Sequence, residues 1–236
     1  MKGIRIFSLA DYYETFWSKV PVMDLKDRWF IFSSGFELLH NQQWLNIKRY
    51  MDIVFSLILA LLTAPIMAVT AIVIKLKDKG PIIYSQLRTG INGKEFTLYK
   101  FRTMDLDAES EGPQWTAKED SRVTSIGWFL RLTHIDELPQ VWNILRGEMS
   151  FIGPRPERPE FIGQFKEKIP YYDFRHLVKP GITGWGQVMG HQYGSSVEDV
   201  VQKLQYDLYY LKNFSLILDI SIIFKTLRLV LFAKGR

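Results

Sequence analysis

The sequence of 236 residues contains no cysteine, which excludes thiol chemistry, disulfide bonds and cysteine-ligated zinc and leaves the redox compartment undetermined. Only four histidines are present, and their spacing does not form a zinc-binding pattern. The chain also lacks a P-loop, a dinucleotide-binding fingerprint and a Ser-His-Asp signature. Its first 20 residues have no charge-free apolar core, so the sequence predicts no signal peptide.

Positive charge is concentrated in one part of the chain. The formal net charge is +5, yet residues 48–102 alone hold nine Lys and Arg against three Asp and Glu. The following segment, residues 103–120, is acidic. A basic block of this kind suits anionic lipid headgroups, an acidic substrate or nucleic acid. The length suits one good core with a small accessory unit.

Residues 53–74 form a long apolar run without a charged side chain. As a helix the run would measure about 33 Å, enough to cross a hydrocarbon core of roughly 30 Å. Pro65 lies near its middle and would bend it. Cytoplasmic flanks are the ones that carry Lys and Arg, and here both flanks are basic: Lys48, Arg49, Lys75, Lys77 and Lys79. Two predictions stay open, a kinked span and a broken helix that dips in and returns.

Residues 216–232 form a second strongly apolar stretch, interrupted by isolated polar residues such as Asp219 and Lys225. This pattern indicates an amphipathic helix lying in the membrane interface, with its cations reaching toward water. A helix packed on the protein core would show the same pattern, so both interpretations remain. Residues 1–47 are interpreted as a leader or linker.

A β-hairpin is predicted after the membrane segment. Ile82–Tyr84 and Glu95–Phe101 are the expected strands, with Asn92-Gly93 in the turn. The two-residue period of a strand places Lys100 and Arg102 on one face. Together these cations could bind an anion, although solvated charges on an edge strand would follow the same pattern.

The adjacent pair Asp136-Glu137 is the strongest candidate for chemistry. Leu138, Val141, Trp142 and Leu145 form an apolar helical stripe, and Gly147 marks its end. Pro139 is tolerated only in the first turn, so the two carboxylates lie at the helix N-terminus, where anions are favoured. They either cap this helix or perform catalysis. Arg155 follows closely and is suited to hold a phosphate.

A glycine-rich turn with one aromatic residue covers residues 179–187. Such a turn lets the backbone approach a nucleotide or sugar closely, although many turns without a binding role share this composition. The residues of interest are Pro180, Gly181, Thr183 and Trp185.

Residues from about Lys48 to Phe232 resemble the bacterial sugar transferases, the monotopic phosphoglycosyl transferases that begin cell-surface glycan assembly. The resemblance rests on motifs in the same order along the chain: Lys48-Arg49 with Asp52, Gly80-Pro81, Tyr84-Ser85-Gln86, residues 99–104 (YKFRTM), 136–140 (DELPQ), 153–157 (GPRPE) and 179–185 (KPGITGW). It covers roughly four-fifths of the chain.

The resemblance implies transfer of a sugar 1-phosphate from a UDP-sugar to polyprenyl (undecaprenyl) phosphate, with release of UMP. Asp136 would attack the β-phosphorus and form a covalent phosphosugar intermediate, and Glu137 would bind or orient Mg²⁺. Arg155 would hold phosphate oxygens, with Lys100 and Arg102 as further anion contacts. Residues 180–185 would help to shape the nucleotide or acceptor pocket.

The resemblance also implies an α+β, mostly helical fold with a small β-hairpin and interfacial amphipathic helices. The membrane helix over residues 48–79 would be a re-entrant hairpin broken at Pro65, with basic collars. Residues 80–236 would form a catalytic domain on the cytoplasmic face of the bacterial inner membrane. No nucleic-acid partner is expected, and the sequence leaves open whether the chain forms a homo-oligomer.

Two departures from the family pattern are visible. Glu148 follows Gly147 where many members have Asp, and the first 47 residues resemble the linker that precedes the catalytic unit in larger members. Two rival functions remain. A membrane-anchored module could bind anionic lipid or nucleic acid without catalysis, and a metal-dependent glycosyltransferase would release UDP rather than UMP.

Overall fold

The computed structural model describes residues 7–77, 80–110, 112, 120–190 and 196–232. Lys79 and much of the acidic segment 103–120 therefore lie outside the described residues. Where it is described, the chain is mostly helical and carries two small two-stranded sheets. The predicted α+β class is confirmed.

The α-helices, in chain order, are α1 Leu9–Trp17, α2 Asp27–Phe32, α3 Gln42–Lys77, α4 Ser125–Leu132, α5 Val141–Arg146, α6 Pro159–Lys168, α7 Trp185–Val188, α8 Val197–Lys212 and α9 Leu216–Phe232. The strands are β1 Ile83–Thr89, β2 Glu95–Phe101, β3 Ser150–Ile152 and β4 Gly181–Thr183. Short 3₁₀ helices lie at Val22–Asp24, Glu37–His40, Ile91–Gly93, Ile135–Gln140 and Tyr172–Leu177.

Helix α3 is long and apolar enough to cross a membrane, the one helix of that kind within the described ranges. It continues through Pro65 without interruption. The helical assignment therefore shows no gap at Pro65, and the re-entrant hairpin bent at this residue stays a prediction. A proline removes a single hydrogen bond and can bend a helix, while the turns on either side keep their own bonds.

Both ends of α3 contact the part of the chain that follows it. Near its start, Arg49 donates to the carbonyl oxygens of Ile144 and Leu145 at 2.5 and 2.7 Å. Near its end, Ile74 packs with Leu130. This arrangement is the one expected if both ends of the helix stay on the same side of a membrane.

Asp52 on α3 is buried, with 5% of its surface exposed. Its Oδ1 accepts hydrogen bonds from Ser150 Oγ at 3.0 Å and from the Phe151 N–H at 3.1 Å. The carboxylate thereby joins the membrane helix to β3. The basic flank before the apolar run is also used internally, because Lys48 Nζ pairs with Asp219 Oδ2 at 2.5 Å.

Part of the segment before residue 48, interpreted above as a leader or linker, packs in the core. Val20 and Val22 are fully buried in a cluster with residues of α6 and α8, including Phe165 and Leu204. The Val20 N–H donates to the Gln205 carbonyl at 3.0 Å. The burial of these two valines explains why the segment packs on the domain.

Helix α9 combines the two predictions made for it. Asp219 and Ile222 are buried, and Thr226 is hydrogen-bonded to Thr183 at 2.8 Å. The opposite face is exposed and apolar, with Ile217 among its members. One face therefore packs on the protein, while the other has the composition expected of a membrane-interface helix.

The hairpin forms as predicted, although β1 is longer than expected. β1 and β2 pair antiparallel, with Tyr84 opposite Lys100. Asn92 and Gly93 adopt positive φ angles of 54° and 75° in the turn, the conformation for which Asn-Gly is favoured. β3 and β4 pair in parallel, with Ser150 opposite Gly181.

We expect Asp52→Ala to lower the free energy of unfolding by about 2–3 kcal/mol, because it leaves the Ser150 hydroxyl and Phe151 N–H buried without their acceptor. For a chain of this size the melting temperature should fall by roughly 4–12 °C. Thermal unfolding in detergent would measure the effect. Asn46→Ala is the matched control, since Asn46 lies on the same helix and makes an exposed hydrogen bond. Equal melting temperatures for the two variants would contradict the prediction.

Candidate active site

Asp136 and Glu137 lie in the first turn of the 3₁₀ helix Ile135–Gln140, and α5 begins only at Val141. The prediction of an α-helix starting beside the two carboxylates is therefore wrong in helix type. Pro139 has no N–H to donate to the carbonyl of Ile135 four residues earlier, so an α-helical bond cannot form there. The predicted stop is confirmed, since Gly147 caps α5 with a φ of 83°.

The apolar stripe predicted for this segment is partly wrong. Val141 is buried as expected, but Trp142 is 53% exposed, and the fully buried position is Ile144. The change from 3₁₀ to α geometry at Val141 alters the residues per turn. A stripe extrapolated across that change therefore assigns the wrong face.

Glu137 is shared between two cations. Its Oε1 accepts hydrogen bonds from Lys100 Nζ at 2.7 Å and from Arg155 Nη2 at 2.6 Å. Burial alone would raise the pKa of Glu137, but Arg155 and Lys100 hold that pKa well below its ordinary value. Three residues predicted for the site thus meet in one ion cluster, which we call the Glu137 cluster: Lys100, Glu137 and Arg155.

Asn143 fixes the distance between the β-hairpin and the acidic pair. Its Nδ2 donates to the Thr97 carbonyl at 2.7 Å, and its Oδ1 accepts from the Tyr99 N–H at 3.2 Å. The same Nδ2 also donates to Glu148 Oε2 at 2.7 Å. Lys100 on β2 is consequently held facing Glu137, and Glu148 has a structural partner.

The carboxylate of Asp136 is buried, with 6% of the residue exposed. Within the described part of the chain, no donor is hydrogen-bonded to it. Burial raises the pKa of Asp136 against the opposing charge of Lys100, and the neighbouring charge of Glu137 raises it further. Arg131 adds a nearby cation and is itself held by its Nε bond to Thr103 Oγ1 at 2.9 Å.

The residues of the glycine-rich turn hold the backbone that carries Arg155. The Ser150 N–H donates to the Pro180 carbonyl at 2.9 Å, and the Gly153 N–H donates to the Thr183 carbonyl at 3.0 Å. The Gly181 N–H donates to the Pro154 carbonyl at 3.0 Å. Through these hydrogen bonds the turn pairs β4 with β3 and holds Pro154, the residue before Arg155.

Two predicted binding residues have other surroundings. Trp185 is buried in the core, where its Nε1 donates to the Ser18 carbonyl at 2.8 Å. Arg102 is also buried, and its guanidinium adjoins Gly80. Among the described residues, the cations that contact Glu137 are Lys100 and Arg155. A role for Trp185 or Arg102 in substrate binding stays a prediction.

A cavity of about 550 Å³ opens beside the Glu137 cluster. Its polar lining residues include Glu137 and His134, together with Lys48, Asp52 and Asp219. The remaining wall is largely apolar and comes from α3, α9 and strand β4, with Phe55, Leu59, Ile182, Ile220 and Leu227 among the lining residues. A largely apolar cavity with a few charged lining residues suits an amphipathic ligand.

Several residues around the site carried no sequence signal that singled them out. Arg131 lies five residues before Asp136 and belongs to no motif, and Arg175 lies in a stretch without a clear hydrophobic periodicity. His134 has a φ of 56°, which is uncommon outside glycine and is found at functional sites. Only the position of His134, two residues before Asp136, could have drawn attention to it.

Comparison with known proteins places these motifs in a family. The family model described as bacterial sugar transferase matches residues 42–233. That range includes α3, both sheets and every residue of the Glu137 cluster.

Curated relatives agree with this match. The chain is 46% identical over 198 residues to a UDP-N-acetylgalactosamine-undecaprenyl-phosphate N-acetylgalactosaminephosphotransferase of Aeromonas hydrophila, covering 84% of this chain and 47% of that protein. It is 39% identical over 181 residues to the UDP-glucose:undecaprenyl-phosphate glucose-1-phosphate transferase of Escherichia coli K12, covering 76% and 39%. An uncharacterized sugar transferase of Bacillus subtilis is 39% identical over 189 residues, covering 80% and 89%. The chain thus spans less than half the length of the first two relatives.

The site geometry predicts opposite effects for two glycine-to-alanine changes. In Gly181→Ala, the new Cβ would lie 2.2 Å from Gly153 N, so β3 and β4 must separate and the protein should be destabilised by several kcal/mol, about 2–4. Gly163 is the matched control. It lies on the exposed face of α6 with no atom within 4 Å of an added Cβ, so Gly163→Ala should stabilise by about 0.5–1 kcal/mol. Melting temperatures would decide, and a neutral Gly181→Ala would contradict the proposed close approach.

Proposed function

Because the chain belongs to the bacterial sugar transferase family, we propose that it transfers a sugar 1-phosphate from a UDP-sugar to polyprenyl phosphate, with undecaprenyl phosphate as the acceptor and UMP as the product. The observation that carries this proposal is the Glu137 cluster next to buried Asp136, at the end of an apolar cavity bordered by the membrane helix. The product would begin assembly of a surface polysaccharide such as an exopolysaccharide, a capsule or a lipopolysaccharide.

Asp136 is the proposed nucleophile. One of its oxygens attacks the β-phosphorus of the UDP-sugar, and the bond from that phosphorus to the bridging oxygen breaks, so that UMP leaves with the electron pair. The result is an aspartyl phosphate that carries the sugar. A phosphate oxygen of the acceptor then attacks the same phosphorus, and the carboxylate of Asp136 is released with the lipid-linked diphosphate sugar as product.

Arg155 and Lys100 supply the positive charge for this transfer. Both reach Glu137 from different elements, and the Arg155 side chain is 29% exposed, so its guanidinium can also meet an incoming phosphate. A planar guanidinium binds phosphate oxygens in pairs. Cations held in place before the substrate arrives stabilise charge that develops on the phosphates.

The acidic pair fits a magnesium ion that takes most of its ligands from the substrate. Mg²⁺ is usually held by one or two carboxylates together with phosphate oxygens and water, and the described residues contain no cluster of three or more metal ligands. Both ion pairs of Glu137 are made by Oε1, which leaves Oε2 for a metal. Bound Mg²⁺ would screen the diphosphate and stabilise the leaving UMP.

The apolar cavity is the proposed site of the lipid acceptor. Its walls come from α3 and α9, the two helices with the composition of membrane contacts. An isoprenoid chain could enter from the bilayer between them, with its phosphate next to Glu137. We propose that both ends of α3 stay on one side of the membrane and that the site lies on the cytoplasmic face of the inner membrane.

The rival function of a binding module receives less support from the contacts. Lys48 pairs with Asp219, and Arg49 donates to two carbonyls at the end of α5. Both cations are therefore engaged in contacts within the protein, and neither is left to bind lipid headgroups or nucleic acid.

Intact-protein mass spectrometry with UDP-sugar and Mg²⁺, without acceptor, tests the covalent step. We expect a mass gain of one hexose phosphate or N-acetylhexosamine phosphate, together with UMP release. Asp136→Asn should show neither, because the amide is not a nucleophile. A product of UDP rather than UMP, or an adduct retained in Asp136→Asn, would exclude this mechanism.

The pH dependence of UMP release tests the charge environment of Asp136. Only the ionised carboxylate attacks, so the rate should fall as pH falls through the pKa of Asp136, which burial raises and Lys100 lowers. Lys100→Met removes the opposing cation and should move this acidic limb to higher pH. Lys94→Met, at the exposed end of the same hairpin, is the control and should leave the limb unchanged. An unmoved limb in Lys100→Met would contradict the assignment.

A further inference from the structure

The backbone that carries Arg155 is held at three consecutive carbonyl oxygens. Arg175 Nη2 donates to the carbonyl of Arg155 at 2.9 Å, and Arg88 Nη1 donates to that of Pro156 at 3.1 Å. The Thr89 N–H donates to the carbonyl of Glu157 at 3.0 Å. The loop after β3 is therefore fixed at each residue from 155 to 157, from elements that are distant in sequence.

Arg175 is the most deeply buried of these donors, with 3% of its side chain exposed. Asp207 Oδ2 on α8 lies 2.9 Å from its Nη2, and Nη1 donates to the Tyr172 hydroxyl at 3.0 Å. Glu157 Oε1 lies 3.7 Å from Nη1 and 3.8 Å from Lys203 Nζ. The guanidinium is thus surrounded by partners on the Tyr172–Leu177 helix, α8 and the Arg155 loop.

A buried ion pair is weak evidence for a role in stability, because well-packed apolar residues in its place often make a protein equally or more stable. What a guanidinium adds is direction, since its donors lie in a rigid planar fork. Here Nη2 donates to the Arg155 carbonyl and lies 2.9 Å from Asp207 Oδ2, while Nη1 donates to the Tyr172 hydroxyl. The side chain of the same Arg155 reaches Glu137 at 2.6 Å.

We propose that Arg175 is a positioning residue, which fixes the backbone of Arg155 so that its guanidinium is presented to the diphosphate beside Glu137. This inference rests on the proposed function, in which Arg155 contacts the phosphates. Asp207 takes part by holding Arg175 in place. Without this contact, Arg155 must order its own backbone and side chain on binding, which costs affinity.

A double-mutant cycle tests the proposal with UDP as the probe, because UDP carries both phosphates but undergoes no transfer. Arg175→Lys keeps the charge and loses the fork, and should weaken UDP binding about tenfold in the presence of Mg²⁺. In an Arg155→Ala background the same change should alter the dissociation constant less than twofold, because there is no guanidinium left to position. Arg158→Lys is the matched control. Arg158 is another buried arginine nearby, but it pairs with Glu109 and Glu160, so this change should leave UDP binding intact.

Each result has one interpretation. Equal losses from Arg175→Lys in both backgrounds, or no loss in either, would overturn the positioning role. If Arg155→Ala itself bound UDP like the unmodified protein, the role of Arg155 in the proposed function would fail as well. If Arg175→Lys did not fold by thermal unfolding, Asp207→Asn would take its place in the cycle, since it retains Arg175 and removes the charge that holds it.

Discussion

The carboxylate of Glu137, shared between Lys100 and Arg155, is the interaction on which the arrangement of the site depends. It joins three parts of the chain, since Lys100 belongs to β2, Glu137 to the 3₁₀ helix and Arg155 to the loop after β3. Removing one member of a buried ion cluster leaves the others uncompensated, which is far more costly than losing a surface pair. Asp136 and Arg131 add one charge of each sign. These five groups carry a net positive charge, which suits the phosphates of the proposed substrate.

The membrane helix is a second constraint, because the residues that follow its start also support the site. Arg49 donates to two carbonyl oxygens at the end of α5, those of Ile144 and Leu145, where intrahelical donors run out. Asp52 accepts from β3, the strand that leads to Arg155. The position of the Arg155 loop is thus tied to the position of α3 by direct contacts. For the proposed lipid acceptor, this link would keep the site near the membrane surface, where a lipid phosphate lies.

Local signals allowed part of this structure to be predicted from sequence. The Asn92-Gly93 turn, the stop at Gly147 and the membrane helix all follow from short-range chemistry, and the three residues of the Glu137 cluster were recognised from family motifs. The rest depends on contacts between distant segments. Trp185 lies in a glycine-rich turn, which suggested that its ring could face a ligand. In the fold, however, its Nε1 donates to the Ser18 carbonyl and its ring stacks on Tyr209. Long-range hydrogen bonds of this kind leave no periodic trace in a sequence.

The 3₁₀ helix explains how two adjacent carboxylates can take different roles. With three residues per turn, neighbouring side chains diverge by about 120°, so Glu137 reaches the two cations while Asp136 does not share them. Their environments then separate their proton affinities, because the cations lower the pKa of Glu137 and burial raises that of Asp136. Such a separation assigns roles within a carboxylate pair. Glu137 stays ionised as the charge that organises the site. The raised pKa of Asp136, and the absence of a hydrogen bond to it from the described residues, support its proposed role as the nucleophile.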